Sequence, residues 1–407
     1  MTQPSLTPPA RPGALANWLA LGALLGALWA LSWWTQQPPA ERPANAPADQ
    51  FGTDRAMATI RMLADEIGQR PIGSPELERT AQYLLTELHK IPRLEVELQD
   101  GRTTNRLDMF PDVAIMGRVR NVLARLPGRR TDAVLLSAHY DSGPDSVGGA
   151  DDGIGVAAAL EAMRALAAGP PLERSIVICL NGGEEVGQAG SRALLQHRWF
   201  NDVVVWLDFE GSRAGKSALI IATSAYPAMV EAYARVAPAP QASVLFDDLS
   251  RSGLLAIAGD FMQYTAAGRP GLDFAGVGDM ASAHTLLDRS AHIDRRTVQH
   301  MGDNALLLAR DLADGRRAFT ASAHTSVYYD LFGQRLVHYS TRTARLLALL
   351  ALALLIVPLG MLVRRRELTV PRLLLSLGWH LLALAAGLLL AIVAALMVAL
   401  VLGHPHN

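Results

Sequence analysis

The chain has 407 residues, half of them apolar, and a formal net charge of −1 at pH 7. A chain of this length can bury a full-sized hydrophobic core and still carry further segments. Its acidic and basic residues balance, so it lacks the excess of basic residues that nucleic-acid binding requires. Nucleic acid is therefore not an expected partner. The single cysteine, Cys179, excludes an internal disulfide framework, and its position in the apolar run IVICL predicts a buried structural thiol.

An uncharged apolar run covers residues 15–34 and follows a tail of residues 1–14. About twenty helical residues cross a hydrocarbon layer of roughly 30 Å, and Trp33 and Trp34 suit its interface. We therefore predict a retained transmembrane helix, or signal anchor, with the tail in the cytoplasm. A cleaved signal peptide is the alternative, because small residues follow in PANAPA. Residues 35–50 are rich in Pro and Ala, which predicts an extended linker.

The pattern of a globular domain begins at residue 51, and we extend this domain to residue 318. Residues 133–138, 175–180 and 203–207 are short apolar runs typical of buried strands, and segments of helical periodicity separate them. Strands that alternate with helices predict βαβ units. The expected fold is therefore an α/β domain of three layers, α/β/α, with a mixed, mostly parallel central sheet.

Three motifs place ionisable side chains at the ends of these elements. AHYDS contains His139 and Asp141, GGADDGIG contains Asp151, and NGGEEVG contains Glu184 and Glu185. An imidazole nitrogen together with carboxylate oxygens suits zinc or a similar divalent ion, and no thiolate of a closed structural site is involved. Two neighbouring glutamates permit a division of roles, in which one binds metal and the other acts as general base.

Two later segments add candidate ligands. Asp208 and Glu210 both lie in LDFEG, and because side chains two residues apart on a strand point the same way, either could bind a metal. His284 lies in AHTLLD, with Asp288 as a plausible partner that would orient it.

The motifs HYDS, ADDGIG, GGEEVGQAGS, LDFEG and AHTLLD, taken together and in this order, resemble the zinc aminopeptidases of the aminopeptidase S/aminopeptidase Y family, peptidase family M28. The resemblance covers roughly residues 56–313. The abundance of arginine beside only two lysines, Lys90 and Lys216, indicates a bacterial member, and the added apolar runs are similar to those of endoplasmic-reticulum metallopeptidases of the family.

The resemblance implies a site with two zinc ions. Asp208 is preferred over Glu210 as a ligand, because the family places its ligand directly after the apolar run. Glu184 would be the general base, and Asp141 would orient a histidine ligand. The implied metal ligands are His139, Asp151, Glu185, Asp208 and His284, of which His139 and Asp208 hold one ion, Glu185 and His284 hold the other, and Asp151 bridges them.

The segment before His284 departs from the family pattern. Relatives often carry a tyrosine there, whose hydroxyl can stabilise the oxyanion of a tetrahedral intermediate, but this chain has Ala283. Either another donor replaces that hydroxyl or the metals alone hold the oxyanion.

Two further apolar runs, residues 346–363 and 381–402, follow a juxtamembrane segment of residues 319–345. Three consecutive arginines lie in the loop of residues 364–380 between them, and by the positive-inside rule this loop faces the cytoplasm, although arginines on the other flank oppose that orientation. The expected protein crosses the cell membrane several times, contacts the lipid bilayer, and carries its catalytic domain on the periplasmic or equivalent extracytoplasmic side.

The resemblance thus implies a membrane-anchored zinc metallopeptidase. Its expected activity is that of an aminopeptidase, which would hydrolyse the N-terminal bond of a peptide substrate by a hydroxide that bridges the two metals. A glutaminyl-cyclase-like acyltransferase with one zinc is one alternative. A catalytically silent scaffold is another, although such domains usually lack part of the ligand set and this chain has all five candidate ligands and the base. The oligomeric state is left open.

Overall fold

A computed structural model describes residues 14–107, 110–223 and 225–402. The helices are α1 (Ala14–Thr35), α2 (Thr53–Arg61), α3 (Pro75–His89), α4 (Gly153–Ala168), α5 (Ala189–Leu194), α6 (Pro227–Val236), α7 (Val244–Arg251), α8 (Phe261–Ala266), α9 (Arg295–Leu312), α10 (Thr341–Arg364) and α11 (Val370–Leu402). The strands are β1 (Glu95–Leu107), β2 (Phe110–Leu126), β3 (Ala133–His139), β4 (Ser175–Asn181), β5 (Val203–Glu210), β6 (Ala214–Ala222), β7 (Gly271–Gly278), β8 (Ser326–Leu331) and β9 (Arg335–Ser340).

The chain forms two compact units, of which the first ends at Ser340 and the second contains α10 and α11. A seven-stranded sheet with the order β1-β2-β4-β3-β5-β7-β6 lies at the centre of the first unit. Strands β4, β3, β5 and β7 are parallel neighbours, whereas β1, β2 and β6 add antiparallel pairs at the two sides.

Both faces of this sheet are covered. Val134 and Leu136 of β3 belong to a core that includes residues of α2, α4 and α9, whereas Ala133 and Leu135 belong to a second core with residues of α5 and α8. Because successive strand residues point to opposite faces, this division places one helical layer on each side of the sheet. The predicted three-layer fold with a mixed, mostly parallel sheet is confirmed.

Helix α9 packs closely on the segment that precedes α2. A Cβ atom added at Gly302 would lie 2.1 Å from the ring of Phe51, which is completely buried. Alanine favours a helix by about 1 kcal/mol over glycine, but overpacking a core costs about 1–3 kcal/mol, so the clash is the larger effect here.

We expect Gly302→Ala to lower the melting temperature of the detergent-solubilised protein by several degrees, measured by a thermal melt. An unchanged or higher melting temperature would show that Phe51 can move aside without loss of packing.

Within the part of the chain that the structure describes, three helices are long and apolar enough to cross a membrane, namely Leu15–Thr35, Thr341–Arg364 and Val370–Ala394. The first begins where the predicted N-terminal run begins and ends one residue beyond it, and the other two begin earlier than the predicted runs at 346 and 381. Residues 319–345, predicted as a juxtamembrane segment, contain a hairpin of β8 and β9. Tyr328 of this hairpin is fully buried, and the backbone N–H of Asp330 donates to the carbonyl of Ala242 at 2.9 Å. The hairpin therefore packs on the rest of the first unit.

Candidate metal centre

The candidate site lies at one edge of the central sheet, where its parallel strands end. His139 is the last residue of β3, and Glu210 is the last residue of β5. Strand β4 ends at Asn181, and the turn that follows carries Glu184 and Glu185. The carboxyl ends of parallel strands share one edge of a sheet, which is where α/β folds collect their functional groups.

Two loops complete the site. Asp151 follows a glycine-containing loop and precedes α4, while His284 lies in the loop that leaves β7 at Gly278. His284 has a φ of 58°, in the left-handed region that histidine tolerates better than bulky residues do.

The first of two ligand groups contains His139, Asp151 and Glu210. Nε2 of His139 lies 3.3 Å from Oδ1 of Asp151 and 3.2 Å from Oε2 of Glu210. One ligand atom from each of the three residues lies within 4.8 Å of the others, which is close enough for a single ion to contact all three.

The second group contains Asp151, Glu185 and His284. Nε2 of His284 lies 3.2 Å from Oδ2 of Asp151 and 3.0 Å from Oε2 of Glu185. Asp151 therefore belongs to both groups and turns one carboxylate oxygen towards each histidine. This arrangement is what a carboxylate between two ions requires.

The donor set fits divalent metals of the zinc type. Each group offers one imidazole nitrogen and two carboxylates, the mixture expected for a hydrolytic zinc site with an open position. Oε1 of Glu185 is buried and has no hydrogen-bond partner in the described part of the chain, so this oxygen lacks a protein donor. A cation at this place would compensate for that lack.

The pKa values show how strongly the site concentrates charge. Hydrogen bonds with Asp151 and Glu185 raise the pKa of His284 to about 10. Burial raises the pKa of Glu210 to about 7, although His139 opposes that shift. Burial also raises the pKa of Asp151, but hydrogen bonds from the two histidines outweigh it, so its pKa lies below the ordinary value. Protons on the histidines thus balance carboxylates that metal ions would otherwise neutralise.

Asp141, predicted to orient a histidine ligand, lies behind His139. Its Oδ1 lies 3.5 Å from Nδ1 of His139, so Nε2 is left for the ligand group. The same carboxylate accepts hydrogen bonds from the backbone N–H groups of Glu184 at 3.1 Å and of Glu185 at 3.2 Å. Asp141 therefore fixes the end of β3 relative to the turn after β4.

Glu184 lies beside the ligand groups and is a member of neither. Nε2 of Gln188 donates to its Oε1 at 3.3 Å. Burial raises the pKa of Glu184 well above its ordinary range, and the carboxylates of Glu210 and Asp260 raise it further against the effect of His139. A carboxylate that takes up a proton this readily suits a general base.

Asp208, predicted as a metal ligand, lies outside both ligand groups. Glu210 lies beside His139 instead, in the position that was predicted for Asp208. Ser137 pairs with Asp208 in the register of β3 and β5, so His139 and Glu210, each two residues further on, are level with one another. Strand residues two apart are separated by almost 7 Å along the chain, so only the last residue of β5 reaches the edge. Asp208 is buried within the sheet next to Asp273 of β7, and burial raises its pKa well above the ordinary range.

Two interactions that the sequence did not reveal hold the site together. The carboxylate of Asp152 accepts hydrogen bonds from the backbone N–H groups of His139 at 3.2 Å and of Gly211 at 3.0 Å. Asp288, predicted as a partner of His284, instead accepts from the backbone N–H of Asp151 at 3.1 Å. Both carboxylates position ligands through the backbone, and residue spacing gives no signal of such contacts.

Arg213 holds the loop that carries His284. Its Nε donates to Oγ of Ser282 at 2.5 Å, its Nη1 donates to the carbonyl of Leu287 at 2.9 Å, and its Nη2 donates to the carboxylate of Asp279. These contacts lie on both sides of His284, so Arg213 fixes the left-handed conformation at the histidine.

We expect Arg213→Met to weaken metal binding at the His284 group by about 10-fold, at the low end of the 10-fold to 100-fold cost of losing an outer partner. The measurement is a chelator competition titration on the purified protein. Arg289→Met is the matched control, because the Nε of Arg289 donates to the carbonyl of Leu286 within the same loop and does not link that loop to the turn between β5 and β6. Equal affinities for the two variants would contradict the bracing role.

Residues 121–309 match the model of peptidase family M28, a stretch that includes all candidate ligands. The putative endoplasmic reticulum metallopeptidase 1 of Schizosaccharomyces pombe is 32% identical to the chain over 322 residues, which are 73% of this chain and 39% of that protein. The chain thus spans about two fifths of this relative's length.

Two solved structures share the fold. The crystal structure of an Acidobacteriales bacterium glutaminyl cyclase has a TM-score of 0.53 and 20% sequence identity, and the similarity covers 69% of this chain and 100% of that one. A Zn-dependent exopeptidase from Parabacteroides distasonis has a TM-score of 0.51 and 18% sequence identity, and the similarity covers 65% of this chain and 99% of that one. These two similarities concern the fold alone, and the family match is that of residues 121–309 to the model of peptidase family M28.

Proposed function

We propose that the protein is a membrane-anchored zinc peptidase that removes N-terminal residues from peptides. The observation that supports this proposal best is the pair of ligand groups that share Asp151. Two adjacent metal sites form a clamp for the attacking and departing groups of a hydrolysis, and aminopeptidases are among the enzymes that use one. The excess of arginine over lysine further supports a bacterial source.

The geometry of the described side chains supports the following metal ligands for this proposal. His139, Asp151 and Glu210 would hold one zinc ion, and Asp151, Glu185 and His284 would hold the other. When bound, the ions would polarise the scissile carbonyl and make a water molecule more acidic.

Glu184 performs the proton transfers in this mechanism. It takes a proton from the water whose oxygen attacks the peptide carbonyl carbon, and it later delivers that proton to the amine nitrogen as the C–N bond breaks. Asp141 keeps Nε2 of His139 directed at its ligand group throughout, because it contacts the other ring nitrogen.

The proposal can be tested with the purified, zinc-loaded chain and a panel of aminoacyl amides and peptides with free or blocked amino termini. We expect about two zinc ions per chain and release of the first residue from substrates with a free amino terminus only. Cleavage of blocked peptides in mid-chain would replace the exopeptidase assignment with an endopeptidase assignment. A protein that binds zinc but cleaves nothing would be the silent scaffold.

A glutaminyl-cyclase activity is the second candidate, and the shared fold with a glutaminyl cyclase favours it. Peptides that begin with glutamine distinguish the two, since cyclisation releases ammonia and leaves the chain intact, whereas an aminopeptidase releases free glutamine. Mass spectrometry of the products, with the zinc content of the same sample, decides between them. The second ligand group would have no role in a reaction that uses one zinc.

We place the catalytic unit on the extracytoplasmic side of the membrane. It lies in the sequence between the candidate spans α1 and α10, so it occupies one side, and the arginines between α10 and α11 favour a cytoplasmic position for that loop. Reporter fusions after Leu402 and within the 365–369 loop test this orientation. Activity of a cytoplasmic reporter after Leu402, or of a periplasmic reporter in the loop, would reverse it.

A further inference from the structure

The end of α1 meets the sheet at the edge that carries the candidate metal centre. Strand β7 runs towards that edge and ends at Gly278, which pairs with Ala214 at the start of antiparallel β6. Gly215, the next residue of β6, lines a cavity of about 310 Å³ together with Trp29 and Trp33 of α1. The start of β6 is therefore level with the last turns of a helix that is long and apolar enough to cross a membrane.

Further contacts lead from the end of α1 to the loop of His284. Nη2 of Arg296 donates to Oε1 of Gln37 at 3.4 Å, and the neighbouring backbone N–H of Asp294 donates to the carbonyl of Arg213 at 2.8 Å. Arg213 in turn holds the His284 loop. A few hydrogen bonds thus separate the end of the span from the candidate site.

The tip of the β8–β9 hairpin lies beside the same end of α1. Nζ of Lys216 donates to the carbonyl of Gly333 at 3.4 Å, and a Cβ atom added at Gly333 would lie 2.9 Å from the carbonyl oxygen of Thr35. Thr35 is the last residue of the first candidate span. If that span crosses a bilayer, the hairpin tip is at the membrane surface in either orientation of the helix.

The residue choice at this tip is unfavourable for the turn itself. Phe332 and Gly333 have φ values of 53° and 63°, and the backbone N–H of Gln334 donates to the carbonyl of Leu331 at 3.1 Å, as in a type I′ turn. Asparagine followed by glycine is the favoured pair for such a turn, whereas a bulky side chain in the left-handed region costs about 1–2 kcal/mol. Phe332 is nevertheless 55% exposed, and Leu331 is 46% exposed.

We propose that Leu331 and Phe332 insert into the interfacial layer of the lipid bilayer and hold the active-site edge of the sheet at the membrane surface. Aromatic side chains partition into this layer, and apolar groups reach about 5–10 Å into the boundary between headgroups and acyl chains. Burial of Phe332 in lipid offsets the cost of its backbone conformation. The hairpin can hold this position because Tyr328 and Asp330 fix it to the catalytic unit.

The consequence for substrates rests on the peptidase activity proposed above. An active-site edge at the bilayer favours polypeptides whose amino termini are held at the membrane, such as the N-terminal segments of membrane proteins or of lipid-bound peptides. Such substrates are already concentrated at the surface, so their capture is close to an intramolecular event.

The bilayer contact can be tested without any activity measurement. Cys179 is completely buried, so Leu331→Cys in the full chain provides one reactive thiol for an environment-sensitive fluorophore. In phospholipid nanodiscs we expect blue-shifted emission and quenching by lipids that carry a nitroxide near the headgroup. Arg316→Cys is the control, because its side chain is 86% exposed next to Gly315, which contacts Glu173 at the opposite edge of the sheet. Equal, water-like emission at both positions would overturn the proposal.

Phe332→Asn separates the lipid contact from the fold, since asparagine suits the turn. We expect the variant to keep or raise the melting temperature in detergent while nitroxide quenching at a labelled Leu331→Cys falls. Phe332→Trp should keep the quenching, because tryptophan also favours the interface. Unchanged quenching of the fluorophore in Phe332→Asn would show that Phe332 does not hold the hairpin in the lipid layer.

The substrate consequence needs one peptide in two forms, free in solution and attached through its carboxyl end to a phospholipid. In proteoliposomes we expect the wild-type protein to cleave the attached form faster, and Phe332→Asn to lose that advantage while its rate on the free form is kept. If the wild type and Phe332→Asn prefer the lipid-attached peptide over the free peptide to the same extent, the substrate inference is overturned. If neither form is cleaved, the proposed peptidase function fails, and the fluorescence measurement alone decides the bilayer contact.

Discussion

Glu184→Gln is expected to lower the rate of peptide hydrolysis by about 10²-fold to 10⁴-fold, the usual contribution of a general acid or base. Glutamine keeps the shape of the side chain and can still accept the hydrogen bond from Gln188. It cannot take a proton from water or return one to the leaving amine. The zinc content should remain at the wild-type level, because Glu184 is outside both ligand groups. Initial rates on an aminoacyl amide, with elemental analysis of the same sample, provide the measurement.

The neighbouring variant Glu185→Gln is the matched control for this experiment. Glu185 contacts Nε2 of His284 at 3.0 Å, so this change should lower the zinc content as well as the activity. An active Glu184→Gln protein would remove Glu184 from the mechanism. A Glu184→Gln protein that has lost zinc would instead make Glu184 a ligand.

Replacement of Glu210 by glutamine is expected to remove metal from the His139 group, whereas Asp208→Asn is not. A neutral amide is a much poorer ligand than a carboxylate, and loss of a direct ligand should weaken metal binding by at least about 100-fold, the upper end for loss of an outer partner. Asp208 lies two residues back on the same strand and is buried beside Asp273. Asparagine there keeps the side-chain shape and removes a buried ionisable group.

The two proteins can be compared by zinc titration under identical conditions. We expect Glu210→Gln to bind about half of the wild-type zinc and Asp208→Asn to bind all of it with near wild-type hydrolysis. The reverse pattern would restore Asp208 as the ligand. Thermal melts of both proteins distinguish metal loss from unfolding, since Asp208→Asn should be at least as stable as the wild type.

The choice between Asp208 and Glu210 shows how much of the site can be predicted from the sequence. The motifs named both residues correctly as neighbours on one face of one strand, and the choice between them depends on where β5 ends. The register of β5 against β3 decides that point, because His139 ends β3 and Glu210 is level with it. An estimate of strand length would have favoured Glu210, since an eight-residue strand that begins at Val203 ends there.

The fold class followed from the sequence because apolar runs and helical periodicity are local signals. Contacts that brace the site are not local. Arg70, which is fully buried, donates to the carbonyls of Tyr140 at 2.6 Å and of Gly148 at 2.7 Å and so supports the loop before Asp151. These two partners are backbone oxygens more than sixty residues away, and neither composition nor spacing marks backbone groups as partners.

The placement of the ligands on separate strands also sets the order in which the protein matures. His139, Asp151 and His284 meet only after β3, β5 and β7 have paired, so no short stretch of the nascent polypeptide can capture zinc with the affinity of the finished site. Translocation of an unfolded chain would therefore carry no zinc with it. If the domain binds zinc as proposed, the ions would come from the compartment in which it folds, and scarcity of zinc there would lower the proposed activity.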